Sequence, residues 1–167
     1  MKRRILPIAL ALASMAGCAT VSSTPPARPD GEGLVFLVRH AETSGPGRDP
    51  ALSAAGEQRA QALANLLAGE GIERILTSPY HRTRDTAKPL ASRLGITVEE
   101  YDPSDLQAVA ESLRNSGDVI LIVGHSNTTG EMAGFLGGDP GSKIGEHEHE
   151  RVYRVEIPSG RSTMTRY

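Results

Sequence analysis

Two histidines stand directly after apolar runs of the kind that form buried strands. Arg39 and His40 end the run that starts at residue 34, and His125 follows the run 119–124. Open α/β sheets bind their ligands at the carboxyl ends of the strands, so we expect the two imidazoles to lie close together. A neutral imidazole is a competent nucleophile near pH 7, and a guanidinium pairs well with phosphate oxygens. The pattern therefore indicates an anion site that could carry a covalent phosphohistidine.

A third strand end adds a second arginine to this site. The run 73–77 is followed by Ser78 and Pro79, and Arg82 then lies in the first turn of an expected helix. Helix N-termini offer backbone N–H groups to anions, and phosphoryl transfer depends mainly on positioned positive charge. Because Arg39 precedes it, His40 is the better candidate for the nucleophile. His125 would then donate to the phosphoryl oxygens.

Alternating strand and helix patterns predict the elements that position these residues. The first four strands are separated by helical patterns, whereas the last two are joined by a Pro-Ser-Gly turn and alternate apolar with polar residues. We predict a three-layer α/β/α sandwich whose mostly parallel sheet ends in an antiparallel C-terminal edge hairpin. The expected strands are 34–39, 73–77, 96–101, 119–124, 151–157 and 161–166.

The sequence also predicts where four helices begin. Each expected start is a residue whose side chain can accept from backbone N–H groups, and Pro79 is expected at the first helical position. The predicted starts are Ser53, Ser78, Asp102 and Ser126.

The N-terminal segment is predicted to be a signal peptide. Lys2-Arg3-Arg4 precedes an apolar stretch too short to span a bilayer as a helix. The end of that stretch, with Cys18, the chain's single cysteine, resembles the lipobox of bacterial lipoproteins, which implies a lipid on Cys18. The alternative is an ordinary secretory signal followed by an incidental thiol. Residues 1–17 are thus the expected signal, and the proline-rich residues 18–33 a flexible tether.

Composition and position in the cell restrict the partners. The net charge is −2 and the pI about 6.2, which gives no reason to expect nucleic acid as a partner. Lipidation would attach the protein to a membrane of the bacterial cell envelope. Because Ala19 follows the cysteine, the outer membrane, facing the periplasm, is the expected location.

Four ordered blocks of the chain resemble the signatures of the histidine phosphatase superfamily, the phosphoglycerate-mutase-like fold. They are Leu37 to Thr43, Leu52 to Ala60, Thr77 to Ala87, and Val123 to Ser126. The resemblance implies a histidine phosphatase domain over residues 34–167. It further implies that His40 is phosphorylated, that Arg39, Arg82 and His125 bind the phosphoryl group, and that no metal or other cofactor takes part. Because one helix fills residues 102–118, where larger relatives carry a long insertion, the chain is expected to be a compact phosphatase rather than a mutase.

The acid that would protonate the leaving group is left open. Asp102 and Asp105 stand after the third strand and are candidates, although a helix N-cap and a first-turn acid are the more ordinary roles for them. Glu42 is expected to orient residues of the pocket without contacting the phosphoryl group itself. Ser126 is interpreted as a helix cap whose hydroxyl could also contact phosphate.

The run Glu146-His147-Glu148-His149-Glu150 could be a metal site, since alternate residues of a strand share a face. Its charge and its place before the hairpin favour a solvated loop instead.

Three functions are compatible with the sequence. The leading hypothesis is hydrolysis of a phosphorylated small molecule through phosphohistidine. The alternative is a non-catalytic phosphate-binding or regulatory module of the same fold. A third possibility, removal of phosphate from a protein phosphohistidine, fits less well with a tether outside the cytoplasm.

Overall fold

The computed structural model describes residues 31–167. The predicted signal peptide, Cys18 and all but the last three residues of the predicted tether lie outside the described residues. The ten elements are β1 (Gly33–Arg39), α1 (Ala54–Leu67), β2 (Arg74–Thr77), α2 (His81–Leu94), β3 (Val98–Glu100), α3 (Leu106–Leu113), β4 (Val119–Gly124), α4 (Thr129–Phe135), β5 (Arg151–Ile157) and β6 (Ser162–Arg166).

One six-stranded sheet organises the described part of the chain, in the order β3-β2-β4-β1-β5-β6. β1, β2, β3 and β4 pair in parallel, β5 runs antiparallel to β1, and β6 runs antiparallel to β5. The predicted architecture, a mostly parallel sheet with an antiparallel hairpin at one edge, is confirmed.

The side chains of each central strand divide between two cores, one on each face of the sheet. In β1, Val35 and Leu37 join the cluster that includes residues of α3 and α4, whereas Leu34, Phe36 and Val38 join the cluster of α1 and α2. This alternation follows from the two-residue period of a strand, and a strand covered on both faces must be apolar throughout. The three-layer arrangement follows directly from it.

The start of α1 is as predicted and fixes the loop after β1. The Ser53 hydroxyl accepts from the N–H of Gly56 at 3.1 Å, and the Ser53 N–H donates to the carbonyl of Glu42 at 2.9 Å. A Cβ at Gly56 would lie 2.1 Å from that same carbonyl oxygen. Glycine is therefore required where α1 packs against the segment that follows His40.

The other three predicted helix starts are wrong by two or three residues. The residues before α2, α3 and α4 are Tyr80, Asp105 and Thr128. The Ser78 hydroxyl contacts the side chains of Thr83 and His125 and does not cap α2. Pro79 therefore lies before the helix and not at its first position.

Asp105, and not Asp102, caps α3. The Asp102 carboxylate accepts from the backbone and the hydroxyl of Ser104, which makes a local turn, and Asp105 accepts from the N–H of Ala108 to cap α3.

Within residues 31–167, none of the helices combines the length and apolar character that crossing a bilayer requires.

Candidate active site

The strand register brings the predicted histidines together at one rim of the sheet. Arg39 is level with Gly124 across β1 and β4, and the N–H of His40 donates to the carbonyl of Gly124 at 2.9 Å. The residues that follow, His40 and His125, have ring centroids 5.5 Å apart, in an edge-to-face arrangement. The convergence expected from the sequence is present.

The imidazole of His40 is buried and has one defined tautomer. Its Nδ1 lies 2.7 Å from the carbonyl oxygen of Ala41, which can only accept, so Nδ1 carries the hydrogen and Nε2 carries a lone pair. The side chain is 8% exposed. Burial lowers the pKa of His40 to about 4, and the positive charge of Arg39 acts in the same direction. His40 is therefore neutral, with a free Nε2, at neutral pH.

His125 is placed between an arginine and a serine. Nη2 of Arg82 lies 3.4 Å from its Nδ1, and the Ser78 hydroxyl lies 2.8 Å from its Nε2. Since a guanidinium only donates, Nδ1 accepts and Nε2–H donates to Ser78, whose own hydroxyl donates to Thr83 at 3.1 Å. Burial, followed by the charge of Arg82, lowers the pKa of His125 to about 4.

Arg82 is oriented by the loop before α1. Its Nη1 donates to the Arg48 carbonyl and to Oδ1 of Asp49, both at 3.1 Å, while Oδ2 of Asp49 accepts from the N–H of His81 at 2.9 Å. The guanidinium also lies over the ring of Tyr80, 4.4 Å from its centroid. Asp49 thus connects this loop to the first turn of α2, a role that the sequence did not reveal.

Arg39 contacts a different loop. Its Nη1 donates to the carbonyls of Gly145, Glu146 and Glu148, at 2.8, 2.7 and 3.2 Å. Its Nε is buried and has no hydrogen-bond partner within residues 31–167. Burial lowers the pKa of this guanidinium from its ordinary value. A buried donor without an acceptor is costly.

His149 is a site residue that sequence reasoning missed. It is 7% exposed, its Nδ1 lies 2.8 Å from the carbonyl oxygen of His40, and the two ring centroids are 5.7 Å apart. The expected solvated loop is therefore wrong for His149, because β5 runs antiparallel to β1 and its first residues meet the end of β1. Within residues 31–167, no group of three or more His, Cys, Asp or Glu side chains is arranged to hold a metal ion.

Two clefts meet at His40. One, of about 450 Å³, is lined by residues that include Arg82, His125 and Ser126. The other, of about 500 Å³, is lined by residues that include Arg39 and His149. His40 is thus accessible from both sides, with one arginine on each.

Comparison with known proteins fits this geometry. Residues 35–103 match the model of the histidine phosphatase superfamily (branch 1), a stretch that contains Arg39, His40 and Arg82. Over this stretch the chain is similar to the histidine phosphatase superfamily. An uncharacterised protein of Mycobacterium tuberculosis, Rv0525, is 38% identical over 84 residues. The alignment covers 46% of this chain and 41% of the relative, so the match spans less than half of the relative's length.

Solved structures share the fold. The protein histidine phosphatase SixA complexed with tungstate superposes with a TM-score of 0.63 at 24% identity, covering 79% of this chain and 94% of that one. A phosphoserine phosphatase of Entamoeba histolytica in complex with 3-phosphoglyceric acid gives 0.62 at 16% identity, covering 80% and 95%. At these identities the likeness establishes the histidine phosphatase fold.

The remaining candidate residues are Asp102, Asp105 and Glu42. Asp102 and Asp105 are engaged at the start of α3 and line neither cleft, and the hydrogen bonds from Ser104 lower the pKa of Asp102. Glu42 borders the second cleft and forms an ion pair with Arg59, whose Nη2 lies 2.6 Å from Oε1.

Proposed function

We propose that the chain is a phosphomonoester hydrolase that acts through a phosphohistidine on His40 and requires no metal. One observation carries the proposal: Nε2 of His40 has a lone pair because the Ala41 carbonyl holds the hydrogen on Nδ1. A lone pair on a neutral imidazole, flanked by two guanidiniums, is what nucleophilic attack on a phosphoryl group requires.

The reaction takes two steps. Nε2 of His40 attacks phosphorus, the bond from phosphorus to the ester oxygen breaks, and the leaving group departs with the electron pair. Water then attacks the phosphohistidine, which releases phosphate and restores the lone pair on Nε2. The guanidiniums of Arg39 and Arg82 neutralise the charge on the phosphoryl oxygens in both steps.

His125 supports the phosphoryl group by changing its hydrogen-bonding partners. In the structure its Nδ1 accepts from Arg82, so it presents no hydrogen to the cleft at that atom. The Ser78 hydroxyl beside Nε2 can either accept or donate. When Arg82 and phosphate bind each other, Ser78 donates to Nε2, and His125 turns Nδ1–H toward a phosphoryl oxygen.

The source of the leaving-group proton is not assigned to Asp102 or Asp105, because neither lines a cleft at His40. Ser126 lines the cleft with Arg82 and is proposed to contact the substrate. The substrates that suit this site best are phosphomonoesters of small molecules whose leaving groups are stable as anions.

A trapping experiment tests the proposal. The 167-residue chain is mixed with a panel of ³²P-labelled phosphomonoesters, quenched without acid, and analysed for an acid-labile, alkali-stable phosphate. We expect label on the peptide that contains His40, and its loss, with nearly all turnover, in His40→Ala. Label on His125, or turnover that depends on an added divalent ion, would contradict the mechanism.

A non-catalytic phosphate-binding module is the alternative, and the contacts of Arg39 are the observation in its favour. Its Nη1 is already committed to three carbonyls, so Arg39 offers a phosphate fewer donors than a free guanidinium would. Phosphate binding without hydrolysis of any ester in the panel would support this alternative.

We also propose that the protein is attached to the cell envelope through a lipid on Cys18, on the side facing the periplasm. The basis is the sequence around Cys18 alone. Cys18→Ser should move the protein from the detergent phase to the aqueous phase. Unchanged partitioning would contradict the lipid anchor.

A further inference from the structure

A buried arginine lies at the start of β5, outside the residues assigned to chemistry. Arg151 is 4% exposed, and its Nε and Nη2 donate to Oε1 and Oε2 of Glu148, both at 2.8 Å. Its Nη1 donates to the Ser142 carbonyl at 2.6 Å and lies 3.0 Å from the Tyr153 hydroxyl. All three nitrogens of the guanidinium are therefore engaged.

The carboxylate of Glu148 shapes the turn that precedes β5. Oε2 accepts from the N–H of Gly145 at 3.2 Å, and the Glu148 N–H donates to the Gly145 carbonyl at 3.1 Å. Arg166 of β6 adds a second cation, with Nη2 2.9 Å from Oε1. Glu148 is thus fixed from three sides, and the turn 145–148 is closed on itself.

The carbonyls of this same turn are the acceptors for Arg39. Nη1 of Arg39 contacts the carbonyl oxygens of Gly145, Glu146 and Glu148, while its Nε remains without an acceptor. A guanidinium is planar and rigid, so fixing Nη1 also fixes the orientation of the whole group.

We propose that Glu148 and Arg151 are positioning residues that hold the guanidinium of Arg39 in place beside the phosphoryl group. The inference rests on the proposed function, because it needs a phosphoryl group at His40. Glu148 and Arg151 do not touch the substrate and act through the turn 145–148.

Stability alone is a weak explanation for such a pair. Removing the charge of Arg151 from water is costly, and well-packed apolar side chains often stabilise a protein as well as a buried charge with its partner does. A bidentate arginine–carboxylate pair does, however, specify geometry. The pair holds the turn 145–148, whose carbonyls bind Arg39, so its geometry can determine the position of Arg39.

A double-mutant cycle tests the inference, with inorganic phosphate as the probe and calorimetric titration of the 167-residue chain as the measurement. We expect Glu148→Gln to weaken phosphate binding roughly three- to tenfold, within the range of coupled neighbours. The same substitution in an Arg39→Ala background should have no further effect.

The matched control is Glu156→Gln, which removes an ion pair with Arg154 on the same strand. It should leave the affinity for phosphate unchanged. Arg151→Lys keeps the charge but loses the two-pronged contact, so it should weaken binding in the same direction and replaces Glu148→Gln if that variant does not fold.

The outcomes are distinct. Equal weakening by Glu148→Gln with and without Arg39 would overturn the positioning role, because the effect would not pass through Arg39. Normal binding in both Glu148→Gln and Arg151→Lys would overturn it as well. A parent chain that binds no phosphate would overturn the proposed function, and this inference with it.

Discussion

Nδ1 of His149 lies 2.8 Å from the backbone carbonyl oxygen of His40. A carbonyl only accepts, so His149 donates and supports the backbone of the proposed nucleophile. We predict that His149→Phe lowers the free energy of unfolding by about 1–3 kcal/mol, the cost of a buried carbonyl without a donor. It should also lower kcat. Urea unfolding and steady-state kinetics check both effects.

Two further variants separate hydrogen bonding from packing at this position. His149→Asn returns an N–H near the His40 carbonyl and should recover part of the lost kcat. His81→Phe is the matched control, because the His81 side chain is exposed and should leave both measurements unchanged. Equal losses in His149→Asn and His149→Phe would contradict the hydrogen-bonding role.

The sheet and most of the candidate site could be predicted because their signals are local. β1 and β4 are apolar throughout, as strands covered on both faces must be. β5 alternates buried and half-buried residues toward its end, as a strand near a sheet edge does. Placing His40 and His125 at the ends of neighbouring parallel strands then required only that such strands end on the same rim.

The contribution of the turn before β5 could not be predicted from local pattern. Residues 146–150 are all charged or histidine, which indicates exposure, yet His149 and Arg151 are buried. Their burial depends on the antiparallel pairing of β5 with β1, which brings residues 109 positions apart into contact. Similarly, Ser78 has the sequence features of a helix cap, and its contact with His125 appears only once β2 and β4 are paired.

The stability of the domain should fall in mild acid. Burial lowers the pKa of His40 and of His125 to about 4, below the ordinary 6.5. Between these values the unfolded chain binds protons that the folded chain does not. The free energy of unfolding is therefore highest above about pH 6.5 and decreases toward pH 4, by about 1.4 kcal/mol per pH unit for each histidine.

Urea unfolding at pH 7, 6 and 5 measures this slope. His125→Gln removes one of the buried histidines whose pKa is lowered and should make the slope shallower. A free energy of unfolding that is constant over this range would contradict the buried, neutral state of the two imidazoles.

Ser78 should matter for turnover more than for substrate binding. Its hydroxyl is 2.8 Å from Nε2 of His125 and is needed for that ring to present Nδ1–H to a phosphoryl oxygen. We predict that Ser78→Ala lowers kcat about tenfold or more, with a smaller change in KM, as for groups that act in the transition state. Ser78→Thr keeps a hydroxyl and should recover activity. Unchanged kcat in Ser78→Ala would exclude this role.

Arg82 should account for much of the protection that phosphate gives to the fold. A ligand that binds only the native state stabilises it by about 2.7 kcal/mol at a concentration one hundred times its Kd. We predict that phosphate or vanadate raises the Tm of the parent chain and that Arg82→Ala loses this shift.

The matched control is Arg84→Ala, because Arg84 lies on the same helix and pairs with Glu100 at the surface. That variant should keep the full shift. Because Arg82 lies at the rim of the sheet and not in either core, its loss should leave the far-UV circular dichroism unchanged. Protection that survives in Arg82→Ala would mean that phosphate binds away from His40 and His125.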